Sequence, residues 1–282
     1  MLSYQHGFHA GNHADVLKHA VLSLALARLT EKDRPITYID SHSGAGCYDL
    51  EGERALKTGE ASSGVLRLLG RNDAPGGLAP YLSLCERLYA DGRRYPGSPA
   101  VAAALTRAED RLVLMELHPG EHERLKAAMS ADARAHVHFR DGFTGLTALC
   151  PPVPRRGLAL VDPSYETDGD YPAAAEAVRT LARKWPEGIV AVWYPLVPRR
   201  AAATERLKSE VAEAGKGGVL CVEFCPSRAD ESEWGLFGSG MLVTNPPWRL
   251  DEDIGACLPW ISGALAADAS ASSRLEWLSP RQ

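Results

Sequence analysis

Gly157-Leu158-Ala159-Leu160-Val161-Asp162-Pro163-Ser164-Tyr165 joins an apolar run to an acid, a proline and an aromatic ring. The run is too short for a helix and has no polar alternation. It therefore predicts a strand buried on both faces, as in a parallel sheet. Proline then forces a turn. Downstream, Ala173–Trp185 reads as a helix, Ile189–Tyr194 as a strand, Ala202–Ala214 as a helix and Val219–Phe224 as a strand. Upstream, Ile36–Asp40, Arg111–Leu117 and Val137–Arg140 read as strands, with a helix over Glu121–Met129. Such alternation predicts a mostly parallel, doubly wound α/β sheet. Met241–Thr244 is the last strand of the pattern. The Gly-rich segment before it has no helical period, so it is expected to pair antiparallel with Val219–Phe224. A final helix is expected over Asp251–Leu265.

Ahead of the first strand, Asn12 is a candidate N-cap, and Val16, Ala20, Leu24 and Ala27 recur at helical spacing. Between Tyr48 and Tyr95 the pattern is broken by Gly76-Gly77, Pro75 and Pro80, with a helix over Ala79–Leu88. This is read as a small helical insertion, residues 48–95, within one domain spanning residues 1–282.

The chain has 282 residues, 45% hydrophobic and 24% charged, with net charge −5 and pI about 6.0. These values exclude a disordered chain, a collagen and a coiled coil. The acidic balance means that nucleic-acid binding would need a local basic face. The cysteines Cys47, Cys85, Cys150, Cys221, Cys225 and Cys257 contain no C-x-x-C pair, which predicts idle thiols in a reducing cytosol. The start of the chain lacks the charged-then-apolar run of a signal peptide, and Ala20–Leu29 is too short to span a bilayer. A cytoplasmic protein is expected.

Ligands of such sheets sit at the carboxyl ends of the strands. After the first strand comes Asp40-Ser41-His42-Ser43-Gly44-Ala45-Gly46. It is not the dinucleotide fingerprint, because Asp49 stands at the third glycine position. A tight strand–helix turn explains it as well as a ligand loop does. After the second comes Glu116, an acceptor for the hydroxyls of a ribose. After the third come Asp141, an acceptor for an adenine amine, and Gly142, which leaves room for the ring. After the fourth comes Asp162-Pro163-Ser164-Tyr165, whose acid and ring suit an amino-bearing base. One acid proves little; successive acids after a glycine loop favour a nucleoside cofactor.

Asp162-Pro163-Ser164-Tyr165 resembles the D-P-P-Y motif of S-adenosylmethionine-dependent amino methyltransferases. The opening, Met1-Leu2-Ser3-Tyr4 through His6, Phe8-His9-Ala10-Gly11-Asn12-His13-Ala14-Asp15-Val16-Leu17-Lys18-His19, is similar to that of the RlmJ family. Further matches are Tyr95-Pro96-Gly97-Ser98-Pro99, Glu116-Leu117-His118-Pro119, Trp193-Tyr194-Pro195 and Asn245-Pro246-Pro247-Trp248. The resemblance covers essentially the whole chain. It departs at Ser164, where the family has proline.

The resemblance implies a Rossmann-like class I methyltransferase fold, a seven-stranded sheet with an antiparallel last strand. It implies methyl transfer from S-adenosylmethionine to N6 of an adenine in 23S rRNA, adenine 2030. His19, His42, Ser98, Glu116, Asp141, Gly142 and Asp162 would bind the cofactor, with Lys18 a second candidate as countercharge. Asp162 would also be the catalytic acceptor, and Tyr4 and Tyr165 would touch the RNA. The RNA would be met before full ribosome assembly, by a monomer with no membrane attachment. Two other classes stay open: a non-catalytic RNA-binding protein on this fold, and a DNA adenine methyltransferase.

His9 and His13, four apart, lack an evident third ligand, so no metal is expected. Arg199-Arg200, after the fifth strand, is the preferred phosphate contact, whereas Arg155-Arg156 lies at the far end of the sheet. Asn245-Pro246-Pro247-Trp248 keeps both prolines of the motif, yet it ends the antiparallel strand and is expected to point away from the site.

Overall fold

A computed structural model describes residues 5–229 and 235–281. In chain order the elements are α1 (His13–Thr30), β1 (Thr37–Asp40), β2 (Cys47–Asp49), α2 (Glu53–Thr58), α3 (Ala79–Ala90), β3 (Arg94–Pro96), α4 (Ser98–Leu105), β4 (Arg111–Glu116), α5 (Pro119–Ala128), β5 (Ala135–Phe139), α6 (Gly142–Leu149), β6 (Gly157–Val161), α7 (Asp170–Lys184), β7 (Ile189–Leu196), α8 (Ala201–Ala214), β8 (Val219–Cys225), β9 (Gly238–Thr244), α9 (Leu250–Leu265) and β10 (Ser272–Ser279). Short 3₁₀ turns lie at His6–Phe8, Glu60–Ser62, Val65–Arg67, Gly76–Leu78 and Pro198–Arg200.

The sheet runs β10-β8-β9-β7-β6-β1-β4-β5. From β7 to β5 all neighbours are parallel. β9 slots between β7 and β8, antiparallel to both, as expected for the last two strands of the pattern. The sheet has eight strands where seven were expected. The addition is β10, which zips antiparallel onto β8 and forms one edge. Its sequence, Ser272-Ser273-Arg274-Leu275-Glu276-Trp277-Leu278-Ser279, is polar and carries no run long enough to signal a strand on its own.

β6 is buried at all five positions, which explains its unalternating sequence. One core layer packs α1, α3, α4, α5 and α9 on one face. The other packs α6, α7 and α8. Asn12 caps α1 as expected, its Oδ1 accepting from the Asp15 N–H at 2.9 Å. The predicted stripe on α1 is too narrow: the helix is buried nearly all round, while Ala27 is exposed. A helix in contact with α3, α4, α9 and β9 has almost no wet face.

β2 and β3 form a separate two-stranded ribbon in which Tyr48 pairs with Tyr95. The chain between them holds α2, α3 and three short 3₁₀ turns joined by loops. It is tied to the start of α1 where the Val65 N–H donates to the Gly11 carbonyl at 2.7 Å. Gly64 is required there, because a Cβ would fall 2.0 Å from that oxygen. No described helix is long and apolar enough to cross a membrane.

Candidate active site

A cleft of about 870 Å³ opens at the carboxyl ends of β1, β4, β6 and β7. Its floor is the loop after β1. Asp40 is fully buried there, accepting from the hydroxyls of Tyr38 at 2.8 Å and Ser98 at 2.7 Å. Burial pushes its pKa up to about 6, against the pull of those two hydrogen bonds. Gly44 turns the loop with φ +58°, and a Cβ would strike the Tyr48 hydroxyl.

Glu116, at the end of β4, holds this loop in place. Its Oε2 accepts from the Gly44 N–H at 2.8 Å and its Oε1 from the His118 N–H at 2.6 Å. Burial raises its pKa, and the two backbone donors oppose that. Asp141 caps α6, its Oδ1 accepting from the Thr144 N–H at 2.9 Å. Gly142 follows because a Cβ would lie 2.0 Å from the Ser41 carbonyl oxygen. Close packing of two loops thus requires this glycine, whatever ring lies beyond it.

Asp162, at the end of β6, receives Lys18 Nζ on Oδ2 at 2.8 Å. Lys18 is 2.9 Å from Asp15 Oδ1, and Asp15 Oδ2 accepts from His6 Nε2 at 2.8 Å and the Gly11 N–H at 2.9 Å. Burial works against the Lys18 cation, but the carboxylates of Asp15 and Asp162 hold its pKa well above the ordinary value. Burial likewise works against the Asp15 carboxylate, yet His6 and Lys18 keep its pKa well below the usual range.

His19 lies one residue on, fully buried, with Nδ1 2.7 Å from the Tyr95 hydroxyl. Burial drives its pKa down to about 3. Its Nε2 and the Trp193 indole N–H both belong to residues lining the cleft, and neither has a hydrogen-bond partner among the described residues. His42 Nδ1 is 2.7 Å from the Ser41 hydroxyl, and its ring meets Phe143 edge-on at 5.0 Å. Burial lowers its pKa as well.

A family described as ribosomal RNA large subunit methyltransferase D, RlmJ, matches residues 33–279. The ribosomal RNA large subunit methyltransferase J of Escherichia coli (strain K12) is 41% identical over 282 residues, covering 99% of this chain and all of that protein. Its counterpart in Haemophilus influenzae is 40% identical over 283 residues, with the same coverage. The chain belongs to the RlmJ family of large-subunit ribosomal RNA methyltransferases. A crystal structure of protein LPL1258 from Legionella pneumophila is similar throughout, with TM-score 0.86, 33% identity, and 95% and 98% of the two chains covered.

On this RlmJ-family scaffold, His19, His42, Ser98, Glu116, Asp141, Gly142 and Asp162 all line one cleft, as does Lys18. Tyr4 lies outside the described residues. Tyr165 lines the cleft but is only 3% exposed, packed on Tyr171 and Trp193, with its hydroxyl donating to the Trp193 carbonyl at 2.7 Å. The ring expected to stack on RNA is therefore a packed wall. Arg200 lines the cleft as well. It donates to the Tyr165 and Glu166 carbonyls and pairs with Asp168, holding the turn at Ser164. Arg155 pairs with Glu187, and Arg156 donates to the Arg34 and Leu29 carbonyls at the opposite end of the sheet.

His9 and His13 do not share a helical face, since His9 precedes α1 and bonds Glu60 at 2.8 Å. Among the described residues no His, Cys, Asp and Glu group is arranged for a metal ion. The sequence reading missed Asp15, Asp40 and Trp193. Asp15 and Asp40 look like ordinary cap and strand-end acids, and only the fold brings the Asp15–Lys18 pair of α1 against Asp162. Trp193 was quoted in a motif, but no spacing shows that its N–H ends up unpartnered in the cleft.

Proposed function

We propose that the protein transfers the methyl group of S-adenosylmethionine to N6 of one adenine of 23S rRNA, adenine 2030. The observation carrying this reading is the Asp162 carboxylate. It sits in one cleft with Glu116 and Asp141, its Oδ2 fixed by Lys18 and its Oδ1 without a hydrogen-bond partner among the described residues. Family membership supports the methyl transfer.

The residues present fit S-adenosylmethionine. Each Glu116 oxygen keeps a lone pair for a ribose hydroxyl beyond its backbone donor. Asp141 Oδ2 is available to an adenine amine, and His19 Nε2 is a buried polar atom awaiting a partner. His42 and Ser98 complete the wall, with Ser98 fixed by Asp40. Bound there, the cofactor supplies a sulfonium-activated methyl group.

This chain's residues supply position and a hydrogen-bond acceptor. The lone pair of adenine N6 is partly delocalised into the ring, so the amine is a poor nucleophile. Asp162 Oδ1 and the Pro163 carbonyl would accept from its two N–H groups and favour the more tetrahedral nitrogen. Lys18 fixes Asp162 Oδ2 and leaves Oδ1 to face the amine. Asp162 then takes the N6 proton. Most of the rate gain is therefore positioning. Trp193, 5.7 Å from Lys18 Nζ at its ring centroid, offers a ring face and an N–H to the incoming base. The base must be unstacked first, at about a few kcal/mol, which favours rRNA before full assembly. On this reading the enzyme is a cytoplasmic monomer, with residues 48–95 a helical subdomain of a single domain.

The test is labelled methyl transfer to protein-free 23S rRNA, intact large subunits and duplex DNA. Label appearing as N6-methyladenine in the free rRNA is expected. Label only in DNA, or none in any substrate, would overturn the reading.

A further inference from the structure

β5 is the open edge of the sheet beyond β4, and its outward residues are not those of an ordinary edge. His136, His138 and Arg140 alternate along one side and are all exposed. Arg111, at the start of β4, faces the same side and is exposed as well. The charges acting on His138 are those of His136, Arg111 and Arg140, with no carboxylate among them. No hydrogen bond or ion pair to a described residue engages the side chain of Arg111 or Arg140. Other arginines on this surface are spent on acids: Arg107 on Asp110 and Arg134 on Asp132. On the other side of the strand Phe139 is 57% exposed, backed edge-on by His122 at 5.1 Å. The strip from His136 to Arg140 is about 13 Å long at the usual strand rise. It ends at Asp141, whose residue lines the cleft.

We infer that this edge is an RNA-backbone track leading into the cleft. Arg111 and Arg140 contact phosphates of a single-stranded segment flanking the target nucleotide, and Phe139 takes a base on its ring. The inference deepens the proposed rRNA activity and rests on it. An acidic protein needs a local basic face to hold a polyanion, and unpaired guanidiniums beside an exposed ring are the chemistry of a single-strand groove. Cations on an edge strand also discourage edge-to-edge pairing, and the experiment separates the two roles.

The test compares the wild type with Arg111→Ala/Arg140→Ala, Arg140→Glu, Phe139→Ala and, as a control at the far end of the sheet, Arg155→Ala. Binding of a fluorescent 23S rRNA fragment and of polyuridylate is measured across salt concentration, beside kcat, KM and S-adenosylmethionine affinity. For the double variant, RNA affinity should fall about tenfold on both RNAs, because phosphates carry no sequence. Its log–log salt slope should shrink by about 1.4, at roughly 0.7 per lost contact on a single strand. KM should rise with kcat and cofactor affinity retained, and Arg155→Ala should match the wild type. Unchanged affinity and salt slope would overturn the track, including the case where the variants merely aggregate more. If the wild type methylates no rRNA, the proposed activity fails, while the affinity and slope data still judge the track.

Discussion

Lys18 Nζ lies 2.8 Å from Asp162 and 2.9 Å from Asp15, so one buried cation is shared by an acid of the strand-end motif and an acid of its own helix. The pairing ties the start of α1 to the end of β6 and crosses from one core layer to the strand-end cleft. Lys18→Met would leave the buried Asp15 carboxylate facing the half-buried Asp162 carboxylate with no cation between them, a loss of about 3–5 kcal/mol by the usual cost of breaking a buried pair. Chemical denaturation should show this loss. Adding Asp15→Asn to Lys18→Met should recover part of it, and a double variant no more stable than the single would contradict the shared-cation account.

Asp162→Ala should abolish methyl transfer to rRNA while cofactor binding persists through Glu116 and Asp141. Asp162→Asn should retain some activity, since an amide oxygen still accepts from an amine. Transfer at the wild-type rate by the alanine variant would remove Asp162 from the chemistry.

Glu116→Ala should weaken S-adenosylmethionine binding by about 1.5–3 kcal/mol, the scale for hydrogen bonds to a charged group. The loss has two sources. The proposed ribose acceptor disappears, and the Gly44 and His118 N–H groups that Glu116 holds are released. Titration calorimetry checks it, and an unchanged affinity would place the ribose elsewhere.

The parallel core of this sheet was legible because β6, β4 and β1 are buried and the sequence repeats them between helices. The acids could be found because each directly follows a strand. What the sequence hid was set by tertiary contact. β10 is polar because it lies on an edge and gains its order from β8. α6 is short, and its Gly142 and Gly145 are there for packing against Ser41 and Met115, which masks the helix. Tyr165 reads as an open ring, but its left-handed backbone, φ +52°, turns it inward onto Tyr171.

Asn245-Pro246-Pro247-Trp248 tests whether position or spelling decides the site. Thr244 pairs with Val190 near the start of β7, so Asn245 lies at the sheet end opposite Asp162. Its side-chain amide donates to the Pro186 and Gly188 carbonyls, both at 2.8 Å. Asn245→Ala should therefore cost about 1–3 kcal/mol of stability for the unpaired carbonyls and leave turnover per folded molecule unchanged. An inactive but folded, cofactor-binding Asn245→Ala would reverse the assignment.

Acid should destabilise the protein through its buried histidines. His19 falls from 6.5 in the unfolded chain to about 3 in the fold, and His13 from 6.5 to about 4, both because burial disfavours the cation. Below pH 6.5 the unfolded chain therefore binds two protons that the native state refuses, and stability drops as pH falls. Asp40 acts in the opposite sense. Its native value of about 6 exceeds the ordinary 3.8, so the native state binds a proton there first. Between pH 6 and pH 4 these three groups leave roughly one net proton favouring unfolding, about 1.4 kcal/mol per pH unit. Urea unfolding at stepped pH should show this slope, flatter in His19→Gln and steeper in Asp40→Asn. Equal slopes in all three proteins would mean that neither group titrates as its burial dictates.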